Sequence, residues 1–368
     1  SGAGPSNTLA LAMGGQDGSA TTATEEWAFA GLDPSTTPAA DYANAITGDF
    51  YYNSTTGQFK TVTDGGAPIG TWASAGNINT ARNHIGGIGT SNSPAVAFGG
   101  SVPPGSNLVE SYDGTSWSEV NELNNGRTYP DGAGTATAGL AIGGGGGSTP
   151  TTAGYVESWD GTNWTEVADL TRGPASPQST VYGMGSGVQT SALYYGGDEG
   201  SSNALARTES WDGSSWTEVA DLNQAKSYGA GIGTSNTSAL AATGLDWAPG
   251  SGRNSPTNEE WNGSSWTELA ETNTARGFLG CGNHGSVTSA LIFGGRNQGP
   301  SALFASTEFW NGTSWTEVSD LATARLNGLS GSGSGSNAML AGGGTPSVTA
   351  AAEEFTSVDF EIKSVTTS

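Results

Sequence analysis

The stretch Glu209–Val219 (ESWDGSSWTEV) recurs along the chain, and its recurrence narrows the folds open to it. Copies read ESYDGTSWSEV from Glu110 to Val120, ESWDGTNWTEV from Glu157 to Val167, EWNGSSWTEL from Glu260 to Leu269 and EFWNGTSWTEV from Glu308 to Val318. Each is an extended aromatic run, an Asp-Gly or Asn-Gly pair, and a second run opening near a Trp. Asp-Gly and Asn-Gly tolerate the positive φ that a tight hairpin turn needs. Every copy is therefore expected to be a β-hairpin.

Two further markers keep step with the hairpins. An apolar run closed by two small residues ends at Gly15, Gly100, Gly144, Gly197, Gly244, Gly295 and Gly343. From the second run onward these recur every 44 to 53 residues. A period near fifty with strand signals indicates a propeller. Upstream of the runs, a basic residue opens a Gly-rich strand at Arg82, Arg127, Arg172, Lys226, Arg276 and Arg325. Either these six form a ring of cations for an anion, or each pairs with a carboxylate of the preceding strand (Asp169, Asp221, Glu271, Asp320); pairing is the expected outcome. Each repeat then reads as four strands: a from the basic residue, b the apolar run, c the first aromatic and d the second Trp.

This order of basic residue, hydrophobics with Gly-Gly, aromatic and Trp resembles the kelch repeat. The resemblance implies four-stranded blades about an axis, with strand a innermost. It covers nearly the whole chain, with departures at Thr243, which stands for a Gly, and at Phe355 and Phe360, which stand for Tyr and Trp. The expected fold is all-β: one seven-bladed propeller over 1–368, with blades near 1–80, 81–125, 126–171, 172–224, 225–274, 275–323 and 324–368. Ser1–Asn7 matches the end of a strand a, so the chain is expected to begin inside a blade and to be processed or part of a longer product. The first blade would carry an insertion over 30–68 containing a hairpin at Gly48–Lys60 (GDFYYNSTTGQFK), before strand d resumes at Thr71-Trp72. The last repeat would own all four strands, its d strand running from Asp359 to Val365, so that closure needs no exchange between termini. The GDFYYNSTTGQFK segment resembles parts of bacteriophage tail-fibre proteins, and the TARxxxGGxGT and DGTSWTEV variants resemble kelch-like repeats of phage structural proteins.

Net charge is −23 with only 11 basic residues. Nucleic acid and anionic membranes are attracted by Lys/Arg clusters, so neither is an expected partner. No apolar run approaches the roughly 20 residues that span a bilayer as a helix, and no signal peptide is visible. The single cysteine, Cys281, allows no intrachain disulfide. Sixty glycines and few charges suit many short strands and tight turns, and 12 Trp supply core area.

Catalytic chemistry finds few candidates. The only histidines, His84 and His284, fall in strands a of non-adjacent repeats and read as single polar residues of a Gly-rich wall. Copper radical oxidases share the kelch scaffold, but two His and one Cys do not assemble their site. Ser111–Trp117 resembles the sialidase Asp-box yet is one residue short of its spacing. No enzyme activity, cofactor or metal is expected.

Binding is the better candidate. The b–c loops vary most in sequence, and variable loops on a rigid scaffold are where recognition tends to sit. Among their residues, Asp246, Trp247, Arg253 and Asn254 could stack on and hydrogen-bond a sugar ring, although Trp247 could equally fold back over its own blade. Asp198, Glu199 and Arg296 complete the candidate set. The expectation is a virion module of tail-fibre type, meeting host glycan, receptor or other virion proteins. The alternatives are a bacterial surface or secreted adhesin and an intracellular kelch interaction module.

Overall fold

A computed structural model describes residues 70–357 apart from 102–104, 146–153, 172–181, 199–202, 248–252, 298–301, 327, 329–331 and 346. Strand backbone is also described at Gly2–Ser6 (β1), Leu9–Gln16 (β2), Ala20–Ala28 (β3), Phe50–Asn53 (β4), Gln58–Thr61 (β5) and residue 69, which opens Ile69–Ala75 (β6). Two compact units result: Ser1–Ile69 with Val358–Ser368, and Gly70–Ser357.

In the first unit β1, β2 and β3 form a three-stranded antiparallel meander. Strands β4 and β5 pair as a hairpin, Phe50 opposite Thr61 and Asn53 opposite Gln58, where the sequence places one. The remainder of the expected insertion lies outside the described residues.

The second unit is a β-propeller. Five sheets are four-stranded antiparallel meanders, each built by one repeat, within Gly86–Glu119, Asp131–Glu166, Met184–Val219, Ala230–Leu269 and Gly280–Val318. They are blades 1 to 5. Strand b is buried along its whole length in blades 1 and 5, as in Ala95–Phe98, and from its second residue on in blades 2 to 4, because both faces meet a neighbouring blade. That is why it reads as an unbroken apolar run and not as alternation. The c–d hairpins form as expected. In blade 1, Gly114 takes φ +100° and the Asp113 carboxylate accepts the Thr115 and Ser116 N–H groups at 2.8 and 2.9 Å. The two aromatics flanking each turn lie directly opposite one another, as do Trp159 and Trp164, with ring centroids 5.1 Å apart.

Blade 6 corrects the expected count. Its strands are Asn337–Ala341, Ala352–Val358 and, hydrogen-bonded outside them, β6. Its innermost segment is bridged at Leu326–Gly344 and Gly333–Ala338. The fourth strand is thus contributed from far upstream in the chain, and the ring has six blades, not seven. Closure does exchange strands between distant segments. The proposed d strand at Asp359–Val365 lies outside the described residues, and its place in the blade is taken by β6.

The contacts of Trp72 show that the exchange is genuine. In blade 4, Trp266 packs on Tyr195 of blade 3 at 4.9 Å and donates Nε1–H to Thr208 at 3.0 Å. Trp72 does the same two seams on. It packs on Phe293 of blade 5 at 4.9 Å and donates to Thr307 at 2.9 Å. Thr208 and Thr307 both open strand c of their blades. Trp72 therefore fills the d position of blade 6.

Apolar clusters lie between blades. Ile88, Val96 and Phe98 of blade 1 meet Trp159 and Trp164 of blade 2. Met339 and Ala341 of blade 6 meet Ile85, Tyr112 and Trp117 of blade 1. Near the axis the inner strands approach at glycine. A Cβ on Gly132 would collide with the Gly87 carbonyl oxygen and stand 2.8 Å from Ile88 Cγ2. The conserved geometry of the Gly-Gly pair survives its one departure: Thr243 adopts φ +49°, and its hydroxyl accepts the Arg276 N–H at 3.0 Å.

Candidate functional site at the mouth of the axis

The repeat cations do not face a ligand. Arg82 pairs with Glu110 at 3.3 Å, Lys226 with Glu259 at 3.2 Å and Arg276 with Glu308 at 2.6 Å; Arg127 pairs with Glu157, and Arg325 with Glu353. All ten side chains are at most 4% exposed. The partner differs from the expected one. It is the strand-c glutamate of the same blade, not Asp169, Asp221, Glu271 or Asp320. The second carboxylate oxygen of Glu259 explains why: it accepts the N–H and side-chain amide of Asn223 at 2.7 and 2.9 Å. One glutamate thus holds both the incoming d–a connection and the cation that follows it. Burial pulls the Arg276 guanidinium below its ordinary range, and Glu308 opposes that shift.

Blade 3 departs from the scheme. Four residues after Leu123, Leu222 and Leu321 stand Arg127, Lys226 and Arg325, but four after Leu170 stands Pro174. Arg172 is two residues early and lies outside the described residues. Glu209, at the glutamate position, is 7% exposed and accepts the Thr171 N–H at 2.8 Å. Burial raises its pKa above the ordinary glutamate value. A carboxyl whose folded pKa is raised contributes stability below its unfolded pKa, and that contribution is lost as pH rises through the folded value. Glu209→Gln is therefore expected to raise the melting temperature at pH 7, with the gain shrinking to nothing as pH falls below about 4.3. Thermal scans of both proteins from pH 3.5 to 8 check this; a gain independent of pH would refute it.

Two residues past the basic position the chain turns toward the axis. His84, Tyr129, Tyr182, Tyr228 and Phe278 come one from each of blades 1 to 5, and all have left-handed φ, between +54° and +61°. Backbone hydrogen bonds join them across seams: Tyr129 N–H to His84 O at 3.0 Å, Tyr228 N–H to Tyr182 O at 3.0 Å and Phe278 N–H to Tyr228 O at 2.9 Å. Their rings converge. His84 stacks on Tyr129 at 3.7 Å, Tyr182 on Tyr228 at 4.3 Å, and Phe278 tilts against Tyr228 at 4.2 Å. The Tyr129 hydroxyl lies 2.6 Å from His84 Nε2. Burial, aided by the charge of Arg296, holds the His84 pKa down at about 4, so the imidazole is neutral at pH 7, and its tautomer sets which of the two groups donates.

These rings and Asp131 line a cup whose empty space, counted out to where it opens to solvent, is about 420 Å³. Asp131 is fixed at its wall, one oxygen accepting the Gly132 N–H and the other the Gly185 N–H, both at 2.8 Å. Deeper in, Asn283 of blade 5 reaches across the axis to the Gly132 carbonyl of blade 2 at 3.1 Å and the Gly87 carbonyl of blade 1 at 3.5 Å. Gly132 follows the cup-wall residue Asp131 in the same strand, so this crossing lies next to the wall of the cup.

Part of the sequence-selected set comes to this rim. Arg296 sits over the Phe278 ring at 4.4 Å, and its backbone bridges Gly277. Asp198 is buried, and its charge acts on Tyr228. Trp247 folds back, donating Nε1–H to the Ser227 hydroxyl at 2.9 Å, and Arg253 covers its ring at 5.5 Å. Asp246 and Asn254 are half-buried in the same loop; Glu199 lies outside the described residues. His84 belongs to the cup and is no isolated wall residue, whereas His284 lies in blade 5, its N–H bonded to Gly333 O at 2.8 Å. The sequence reading missed Tyr129, Tyr182, Tyr228 and Phe278. Aligning on the basic residue exposes three of them, as Arg127-Thr-Tyr, Lys226-Ser-Tyr and Arg276-Gly-Phe.

No protein-family profile matches the sequence, and no curated protein matches it. Among solved structures the chain is similar to that of YjhT, with a TM-score of 0.59 over 78% of this chain and 99% of that one. The fold is shared. At 12% identity the likeness extends to the propeller architecture alone.

Proposed function

We propose that this chain is a kelch-type, non-enzymatic recognition propeller, the tail-fibre-like module of a phage particle. It engages a host surface glycan or receptor, or another virion protein, through the face carrying the b–c loops. The observation that carries this reading is convergence on one face: Asp198 and Arg296, from b–c loops of blades 3 and 5, act on Tyr228 and Phe278 of the aromatic mouth, and Trp247, from the b–c loop of the blade between them, is bonded to Ser227, next to Tyr228. A non-catalytic role is supported by the repeat-borne cations and glutamates, which engage one another inside the blades. The phage setting is supported by the resemblance of the Gly48–Lys60 hairpin and of the TARxxxGGxGT pattern to phage structural proteins.

Peptide mass spectrometry on particles, cells and medium from the native source tests the setting. Peptides of this chain should fractionate with particles; recovery in the cell envelope alone would replace the phage reading by an adhesin. Labelled protein should bind host cells, and Trp247→Ala should weaken that binding severalfold. Unchanged binding would remove the 245–254 loop from the contact surface.

A further inference from the structure

The five residues at the axial mouth are held in a conformation that glycine adopts freely and side-chain-bearing residues rarely do. A non-glycine residue in the left-handed region is uncommon, and bulky ones there are outliers that the surrounding structure must over-determine. A chain with 60 glycines uses none at these five described positions. It places three Tyr, a Phe and a His there. Such outliers cluster at ligand clamps, and the inference runs from the observed strain to a function.

A plug for the axis is the competing explanation. The axis is already closed below the mouth by Asn283, whose amide spans blades 5, 1 and 2, and by the glycine contact of the inner strands. The aromatic tier is a second layer, knit across seams by its own backbone hydrogen bonds. Of its rings, those of His84, Tyr129, Tyr182 and Tyr228 remain half-exposed.

The chemistry of the cup restricts its occupant. A quaternary ammonium would seek an open aromatic face, but Arg296 already takes the cation seat over Phe278 at 4.4 Å. An anion would meet Asp131 and Asp198 on a chain of net charge −23. Tyrosine combines an apolar body with a hydrogen-bonding tip, and three tyrosines, a neutral imidazole and a carboxylate here line one open cup. We infer that the cup of His84, Tyr129, Asp131, Tyr182, Tyr228 and Phe278 is a subsite for one neutral pyranose ring of a glycan. The C–H face of the sugar lies across the rings, and its hydroxyls meet the tyrosine hydroxyls and Asp131. This rests on the recognition reading and names its ligand class.

The test uses the whole chain with D-galactose, D-glucose, D-mannose and N-acetyl-D-glucosamine, each titrated to about 20 mM by saturation-transfer NMR. A single-ring site of this kind is expected to give a Kd on the order of 1 mM for at least one of them. Tyr182→Gly relieves the backbone strain and removes a wall of the cup. It should lower affinity at least tenfold while leaving the melting temperature within a few degrees of the parent. Tyr129→Phe with Tyr228→Phe retains the packing and should lower affinity severalfold. Absence of binding to all four sugars, affinity unchanged in either variant, or gross unfolding of Tyr182→Gly would each overturn the inference, the last by showing the tier to be a structural plug. The broader reading fails separately: host-cell binding without sugar binding leaves recognition standing and removes the pyranose site, whereas sugar binding without any host-cell binding does the reverse.

Discussion

Replacing Trp72 with alanine is expected to lower the stability of the propeller by about 3 kcal/mol. In a domain of this size that corresponds to a fall of roughly 6 °C or more in melting temperature. The substitution removes an indole wedged between Phe293 at 4.9 Å and Phe355 at 5.4 Å, together with its hydrogen bond to Thr307 at 2.9 Å. Phe355 belongs to blade 6 and Phe293 to blade 5, so the cavity opens at the seam where strand exchange closes the ring. The neighbouring residue Gly70 lies against the same Phe355 ring; any Cβ there would sit inside it. Trp72→Phe keeps an aromatic wedge but not the donor and should recover most of the loss. Chemical denaturation followed by tryptophan fluorescence checks both variants. An effect below about 1 kcal/mol for the alanine variant would contradict the place of β6 in blade 6, because the outer strand would then contribute nothing to closure. Under the seven-blade reading Trp72 would belong to a first blade built with β1 to β3, and residues near Phe360 would guard the final blade instead.

The repeats were legible because each signal in them is local. Asp-Gly and Asn-Gly fix a turn within four residues, and the apolar run reports burial on both faces of one strand. Hence the hairpins and the four-stranded antiparallel blades form as the sequence leads one to expect. The blade count failed because it depends on a pairing between Ile69–Ala75 and Ala352–Val358, nearly 280 residues apart. Nothing within either segment distinguishes a d strand that completes its own repeat from one that completes another. Glu157 and its equivalents were missed as ion-pair partners for a related reason. Sequence proximity favours the carboxylate just upstream of each cation, whereas the meander sets strand c one strand beyond b, where the cation at the start of strand a reaches its glutamate across strand b. The aromatic mouth was partly legible: the offset from the basic residue repeats. Its left-handed backbone was not, since Tyr129, Tyr228 and Phe278 carry no residue-type signature of positive φ. His84 drew notice only as a titratable group, and its stacking on Tyr129 depends on a seam between two blades.

Arg276→Met is expected to cost about 3–5 kcal/mol, because it strands a buried carboxylate. Arg276 and Glu308 are 0% and 1% exposed and 2.6 Å apart. Arg276 also donates to the carbonyls of Gly294 at 3.2 Å and Ser306 at 2.8 Å, so the methionine would orphan two main-chain acceptors as well. Glu308 keeps the Asn273 N–H and amide, at 2.7 and 3.0 Å, but those dipoles do not replace a guanidinium. Glu308→Gln, which removes the charge and keeps the acceptor, leaves the guanidinium buried against a neutral partner and should cost less than Arg276→Met while still destabilising. The informative comparison is the double variant Arg276→Met with Glu308→Gln. If the ion pair contributes mainly by cancelling two buried charges, the double variant should recover a large part of what Arg276→Met loses, since no uncompensated charge remains. If the two single losses simply add, the pair is not coupled, and the stability at this blade must come from the main-chain bonds of each partner separately. Denaturant midpoints for the four proteins of this cycle decide between them. The same arithmetic reaches the other blades, because Arg82, Arg127, Lys226 and Arg325 repeat the arrangement with Glu110, Glu157, Glu259 and Glu353. In Lys226 the fork of the guanidinium is replaced by a single ammonium. It reaches the Ala241 and Thr257 carbonyls only at 3.4 and 3.3 Å and takes the Thr257 hydroxyl at 2.9 Å as an additional partner. Lys226→Met should therefore strand its glutamate to the same degree but break longer main-chain bonds, and cost less than Arg276→Met.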